Sequence, residues 1–215
     1  MSEQSITSRD QLRSVYKPPG DGAAKKVLSS LDQHCIDYLA LCPFGVLSTA
    51  GADGRLDASP KGGEQGFLHV EDAETVMLPD WPGNNRLDSL ENILDNPHVG
   101  MMLLVPGMDE TLRINGHAEI SVDPDVRARF AIKSKLPISV LIITVEEAYL
   151  HCARAVWRAD LWNADNHIDR ARFPTMGQIL ADQVKGYDAA ATDKIIEDNR
   201  HNLYGLDQER RDPGK

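Results

Sequence analysis

A mainly β chain with flanking helices, its strands curled into a closed or split barrel, is what this sequence predicts, on three observations. Short extended runs follow one another between Pro43 and Cys152, separated by turn residues. From Leu112 to Val122 every even position is apolar or glycine and every odd one polar, which gives a strand with one buried face. One short helical segment interrupts the strands, and curling protects the edges that so many antiparallel strands would otherwise expose.

The first 42 residues read as helices broken at "KPPGDG" (Lys17 to Gly22), where two prolines and two glycines cannot continue a helix. Val27, Leu28, Leu31, Ile36, Leu39 and Leu41 then recur at helical spacing, with a break near Asp32. From Pro43, "FGVLSTA", the turn "GADG" (Gly51 to Gly54) and "RLDASPKG" form a hairpin signal. "GFLHV" and "ETVMLP" repeat it across Glu71 to Ala73. "DPDVRARFAIKSKLP" opens on a capping aspartate and predicts a short crossing helix, and "ISVLIITVEEAYLHC" (Ile138 to Cys152) a strand long enough to bend. Beyond Phe173, "TMGQILADQVKG" and "AAATDKIIEDNRHNLYG" read as helices, each stopped by a glycine, and "QERRDPGK" as a frayed tail. The whole is expected as one domain over 1–215: a helical extension (1–42), a barrel core (43–162) and C-terminal helices (163–215).

With 33 acidic and 23 basic residues the formal charge is −10, which repels a nucleic-acid backbone and leaves no basic stripe to offset the repulsion. The apolar runs at Val99 to Val105 and Ile138 to Val145 are too short to span a bilayer. Met1 to Gly20 resembles no secretion signal, so the expected location is cytoplasmic. Cys35, Cys42 and Cys152 match no zinc or disulfide spacing and are expected to be small, reduced, buried thiols. His34 beside Cys35 and His151 beside Cys152 are not nucleophile pairs, because neighbouring side chains diverge on a helix and alternate on a strand.

Two cations stand out. In "PGNNRLDSLENILDN" (Pro82 to Asn96), Asp88 and Glu91 form a capping box, and Leu87, Leu90, Ile93 and Leu94 mark one helical face. Asn84, Asn85 and Arg86 therefore sit just before a helix start, where the dipole and a guanidinium fork both favour an anion, although Asp88 at the cap argues against the helix end itself as the site and leaves most of the attraction to Arg86. Lys61 ends a strand beside Gly62 and Gly63, which allow a ligand close to the backbone. Either cation, taken alone, is more often a surface charge, with Asp80 or Asp88 as partner for Arg86. The pattern is neither a Walker loop nor a Rossmann fingerprint, and no G-x-S-x-G elbow is present.

The succession "RLDASPKGG", "TVMLPDWPGNNRLDSLENILDNPHVGMMLLVPG" and "ETLRINGHAEI" resembles the pyridoxamine 5′-phosphate oxidase-related flavin split barrels, and more narrowly a subgroup described as FMN-dependent. The resemblance runs from about Cys42 to Trp162, and "PDWPGNNRLDSL" is its most specific part. It implies a six-stranded split barrel, a homodimer, and FMN at the dimer interface. It makes Asp57, Ala58, Ser59 and Lys61 candidates on the strand along the flavin, and Pro79, Asp80 and Trp81 on the next strand's end. Asn85 and Arg86 fall at the phosphate, and Thr111 and Arg113 toward the isoalloxazine edge. Arg158 and Trp162, in "HCARAVWRADLW", fall where a C-terminal segment reaches the flavin. Three departures separate the chain from the vitamin B6 oxidases themselves. Leu87 stands where a lysine follows the phosphate arginine, the C-terminal substrate signature is missing, and Phe130 falls about where a tyrosine holds the substrate phosphate.

The resemblance implies an FMN-dependent oxidoreductase acting on a small molecule by hydride transfer at flavin N5, a reaction in which no side chain is required as acid or base. No catalytic residue is assigned. The alternatives are a flavin or haem binding module without turnover, for which His117 and His151 are the available haem ligands, and a structural dimer with an empty groove. A deazaflavin in the same cradle is a variant of the first reading.

Overall fold

The computed structural model describes residues 5–204; the tail read from "QERRDPGK" lies outside the described residues. Two short exposed helices, α1 (Arg9–Val15) and α2 (Asp21–Lys25), precede α3 (Gln33–Leu41). The helical spacing read through 23–42 is interrupted more widely than expected. Leu28 leaves the helix to pair with Ala148, and α3 starts afresh from an Asp32 cap.

Seven strands follow: β1 (Phe44–Ala50), β2 (Leu56–Gly62), β3 (His69–Val70), β4 (Thr75–Asp80), β5 (His98–Leu104), β6 (Thr111–Ser121) and β7 (Ser139–His151). Helix α4 (Asp88–Asp95) lies between β4 and β5, and α5 (Pro124–Ala128) between β6 and β7. Every pairing is antiparallel, in the order β2-β1-β5-β6-β7-β4-β3. The result is a split barrel of seven strands rather than the six expected, and its sheet is not closed. No backbone ladder joins β2 to β4, yet the curl brings Lys61 of β2 to 3.3 Å from Asp80 of β4.

The core follows from the alternation. Leu112, Ile114 and Ala118 of β6 are buried, and so are Leu47 of β1, Leu103 of β5, Val76 of β4, and Leu141 and Ile143 of β7. Helix α3 plugs one end with Leu39, and its Tyr38 hydroxyl donates to the carbonyls of Glu110 (2.9 Å) and Leu103 (3.2 Å). Burial pushes that hydroxyl up to about 12. Between Asn115 and Gly116 the β6–β7 register shifts, and here the backbones come so close that a Cβ on Gly116 would lie 1.9 Å from the Thr144 carbonyl oxygen. The outward face of β2, β1 and β5 is apolar too, with Leu56, Phe44 and Met102 exposed.

Helix α4 starts at Asp88 as expected, but the capping box does not form. Leu87 is the cap residue, no side chain caps the first turn, and Asp88 turns back to Arg86 instead. Its buried face is Ser89, Asn92 and Ile93 with Leu90 partly covered, while Leu87 and Leu94 are exposed, so the apolar face read from the sequence is too wide.

After β7 come α6 (Arg154–Ala159), two 3-10 turns (Ala164–Asn166 and Arg170–Arg172), α7 (Met176–Gln183) and α8 (Ala189–Arg200). Glycine does not stop α7 or α8. Their caps are Val184 and His201, with Gly186 beyond the first, and Gly205 lies outside the described residues. Cys35 and Cys42 are buried as expected, whereas Cys152 is exposed; among the described residues all three are free thiols.

The α3 cap gives a pH-dependent contribution to stability. Asp32 accepts from the Cys35 amide at 2.9 Å, and this hydrogen bond, ahead of a smaller opposing desolvation, holds its carboxyl below the usual range. A depressed folded-state value means the contribution is complete above the unfolded value near ~4 and is lost as pH falls through the folded one. Asp32→Asn keeps the cap but does not titrate. In urea unfolding at pH 6 and at pH 2.5, the wild-type chain should lose about 0.5 kcal/mol more than the variant. Equal losses would remove the cap as an acid-sensitive element.

Candidate functional site

The gap between β2 and β4 is lined as a groove of about 680 Å³. β2 is an edge strand of strict alternation, with Asp57, Ser59 and Lys61 half-buried and Leu56, Ala58, Pro60 and Gly62 exposed. That alternation turns Asp57, Ser59 and Lys61 to one face of the strand. Asp80 and Trp81 come from the end of β4, and Ile138 and Ser139 from the start of β7 beside it. The rim is the loop from Gly83 to Leu87 and the first turn of α4.

Local chemistry shapes that loop. Asn85 adopts a left-handed backbone (φ 57), a conformation asparagine tolerates better than most residues. The Asn84 side-chain oxygen accepts from the Arg86 amide at 3.0 Å, which fixes the turn before the helix. The first-turn amides of α4 carry no side-chain cap and lie at the groove rim, but Asp88 and Glu91 stand in the same turn, so the attraction for an anion must come mostly from Arg86 and Lys61.

Both cations are paired. Lys61 Nζ lies 3.3 Å from Asp80 Oδ1 with both side chains largely covered, and Arg86 Nε donates to Asp88 Oδ2 at 2.5 Å with the arginine mostly exposed. The mutual hydrogen bond holds the Asp88 carboxyl below its ordinary range and raises Arg86. Asp57 accepts from the Ser89 hydroxyl, which ties β2 to α4. Asn92 donates to Thr49 at 3.0 Å and ties α4 to β1.

Asp57, Ala58, Ser59, Lys61, Asp80, Trp81, Asn85 and Arg86, far apart in the chain, thus line one groove. Pro79 lines an adjoining cavity that also has Trp81 in its wall. Thr111 and Arg113 do not share the groove. They lie on the outer face of β6 in a separate cavity with Val46, Met102, His151 and Val156. Arg113 sits over the Tyr149 ring at 5.5 Å. Arg158 is exposed on α6 and donates to the Arg154 carbonyl, and Trp162 donates to the Met108 carbonyl at 2.8 Å; neither lines the groove. His117 is an exposed strand residue beside Glu146 (3.2 Å), as expected of a solvent-facing position. Among the described residues no cluster of three or more histidine, cysteine or acidic side chains could hold a metal.

Sequence reasoning missed Ser89, Ile138 and Ser139. Ser89 carried a signal, being a hydroxyl in the first turn of the helix after the arginine. Ile138 and Ser139 carried none, because only the β4–β7 pairing brings them there.

The donor set fits a phosphate monoester. Lys61 Nζ, the Arg86 guanidinium, the Ser59 hydroxyl and the uncapped amides of α4 lie around one groove, opposed by the carboxylates of Asp57, Asp80 and Asp88, while the Ser89 hydroxyl is already given to Asp57. An exposed pair such as Arg86–Asp88 is weak, whereas a phosphate can take two parallel bonds from the same guanidinium, so the phosphate competes well there.

A family model described as pyridoxamine 5′-phosphate oxidase matches residues 31–152, more than half of the chain. No curated protein matches the chain. Among solved structures, HupZ of Group A Streptococcus is 21% identical with a TM-score of 0.46, the match covering 56% of this chain and 93% of that one. General Stress Protein 26 of Bacillus anthracis str. Sterne is 16% identical with a TM-score of 0.40, over 55% of this chain and 94% of that one. A protein described as an F420 reductase is 20% identical with a TM-score of 0.39, over 56% and 98%.

Proposed function

Because this chain belongs to the pyridoxamine 5′-phosphate oxidase family, we propose that it binds FMN in the groove between β2 and β4 and is an oxidoreductase acting on a small molecule. The observation that carries this reading is the convergence of Lys61 and Arg86, 25 positions apart in the chain, on one groove. Lys61 and Arg86 hold the phosphate, with Asn85 setting the turn that presents Arg86. Asp57 and Ser59 lie along the same wall, and Trp81 borders the end of the groove toward the adjoining cavity. When bound, FMN supplies hydride chemistry at N5. The chain's own part is to bind the phosphate, orient the ring and keep water from it.

The homodimer belongs to the same proposal. Leu56, Phe44 and Met102 are exposed on the outer face of the sheet, and an apolar face of this kind is suited to a second copy. Thr111 and Arg113 sit on that face in a cavity of their own, so in this reading they serve the flavin of the partner copy.

The test is an absorption spectrum of the purified protein after addition of FMN and removal of the excess. About one flavin per chain, with bands in the blue and near ultraviolet, is the expected result. A colourless protein that retains none would overturn the reading. It would favour instead the structural barrel with an empty groove, which has one observation on its side: both cations already have carboxylate partners.

A further inference from the structure

Helix α4 is joined to the β1–β2 hairpin by two side-chain hydrogen bonds set side by side. The Ser89 hydroxyl donates to the Asp57 carboxylate, and the Asn92 amide donates to Thr49 Oγ1 at 3.0 Å. Ser89 and Asn92 are three positions apart and so share one face of the helix. Asp57 and Thr49 stand directly opposite each other across the β1–β2 ladder and so share one face of the hairpin. Thr49, Ser89 and Asn92 make up most of the buried polar side chains among the described residues, and all three meet at this one contact. Gly51, at the end of β1, leaves room for it: a Cβ there would lie 2.9 Å from Asn92 Oδ1.

The rest of the contact is apolar, with Ile93 buried and Leu90 partly covered. Apolar contact is non-directional and tolerates a small slide of the helix, whereas a slide would leave the buried Asn92 amide and Thr49 hydroxyl unpaired. The two bonds therefore give α4 a single seat on the hairpin. Arg86 lies three positions before Ser89, and Lys61 lies four positions after Asp57 on the same face of β2. Resting on the phosphate reading of the groove above, we propose that this double clasp sets the spacing between Lys61 and Arg86, with Thr49, Ser89 and Asn92 as positioning residues. Thr49 and Asn92 do not line the groove, so whatever they do to a ligand there is transmitted through α4.

Titration calorimetry of the full chain with FMN, with riboflavin and with inorganic phosphate tests the clasp. Thr49→Val keeps the shape of the side chain and removes the acceptor, Thr49→Ser keeps the acceptor, and Ser89→Ala opens the other bond. Thr49→Val and Ser89→Ala should each weaken FMN about fivefold to tenfold and change riboflavin less than about twofold, with Thr49→Ser close to the wild type. General loosening of the barrel would lower both flavins together. The proposal is overturned if FMN and riboflavin fall alike, if neither falls in variants shown by a melting curve to be folded, or if Thr49→Ser loses as much as Thr49→Val. Should Thr49→Val not fold, the ratio of FMN to riboflavin affinity in Ser89→Ala decides.

Inorganic phosphate separates this proposal from the flavin reading. A wild-type chain that binds phosphate and neither flavin defeats the flavin reading, and the clasp then stands or falls on whether the two variants weaken phosphate by the same factor. A chain that binds FMN with no selective loss in the variants defeats the clasp alone. Binding of neither FMN nor phosphate overturns both.

Discussion

A chain carrying Lys61→Ala and Arg86→Ala together is expected to bind FMN at least about a hundredfold more weakly than the wild type, and riboflavin almost equally well. The contrast follows from where the charges sit. Lys61 is largely covered against β4, so a charge-assisted bond from it to the phosphate is worth about 1.5–3 kcal/mol. Arg86 is exposed, and its contribution depends on the phosphate outcompeting Asp88 for the guanidinium. Riboflavin lacks the phosphate and so reports on the rest of the groove. Lys61→Ala leaves Asp80 without its cation, so a melting curve must accompany the titration. Unchanged FMN affinity in a folded double variant would take both residues out of the site.

A larger effect on stability is expected at Gly116. All three atoms that crowd its absent Cβ are backbone: the Thr144 oxygen at 1.9 Å, the Thr144 carbonyl carbon at 3.0 Å and the Val145 Cα at 3.3 Å. No rotamer change relieves a contact of that kind, so β6 and β7 must part at the register shift that joins the two halves of their long ladder. Gly116→Ala should cost about 3 kcal/mol or more, and Gly116→Val more again, read from urea unfolding. A cost below about 1 kcal/mol for the alanine variant would mean that the ladder yields easily at this point.

The parts of the fold legible in the sequence were those where one face of a strand is polar. β6 and the hairpin of β1 with β2 show this, their turn and alternation written in adjacent residues. β5 was not assigned as a strand, because its outward side carries Met102 and Leu104 and the segment reads as an unbroken apolar run. The capping box was misread for a local reason: Arg86, two residues back, offers the Asp88 carboxylate a charged partner that the sequence pattern does not weigh. The groove was legible in outline because its residues cluster in two segments, 57–61 and 79–86, each with its own motif. Thr111, Arg113, Arg158 and Trp162 were grouped with them by resemblance, and within one chain they lie elsewhere. Nothing in residue order says which face of a strand meets a second copy.

A barrel left open has two strand edges to defend. β3, at one end of the sheet, is only two residues long, and β2, at the other, carries Pro60 opposite Val46. A strand of two residues offers almost no ladder to a stranger, and a proline removes an amide from the rail that would seed one. The cleft can therefore stay open to small molecules without inviting chain-to-chain polymerisation into fibres.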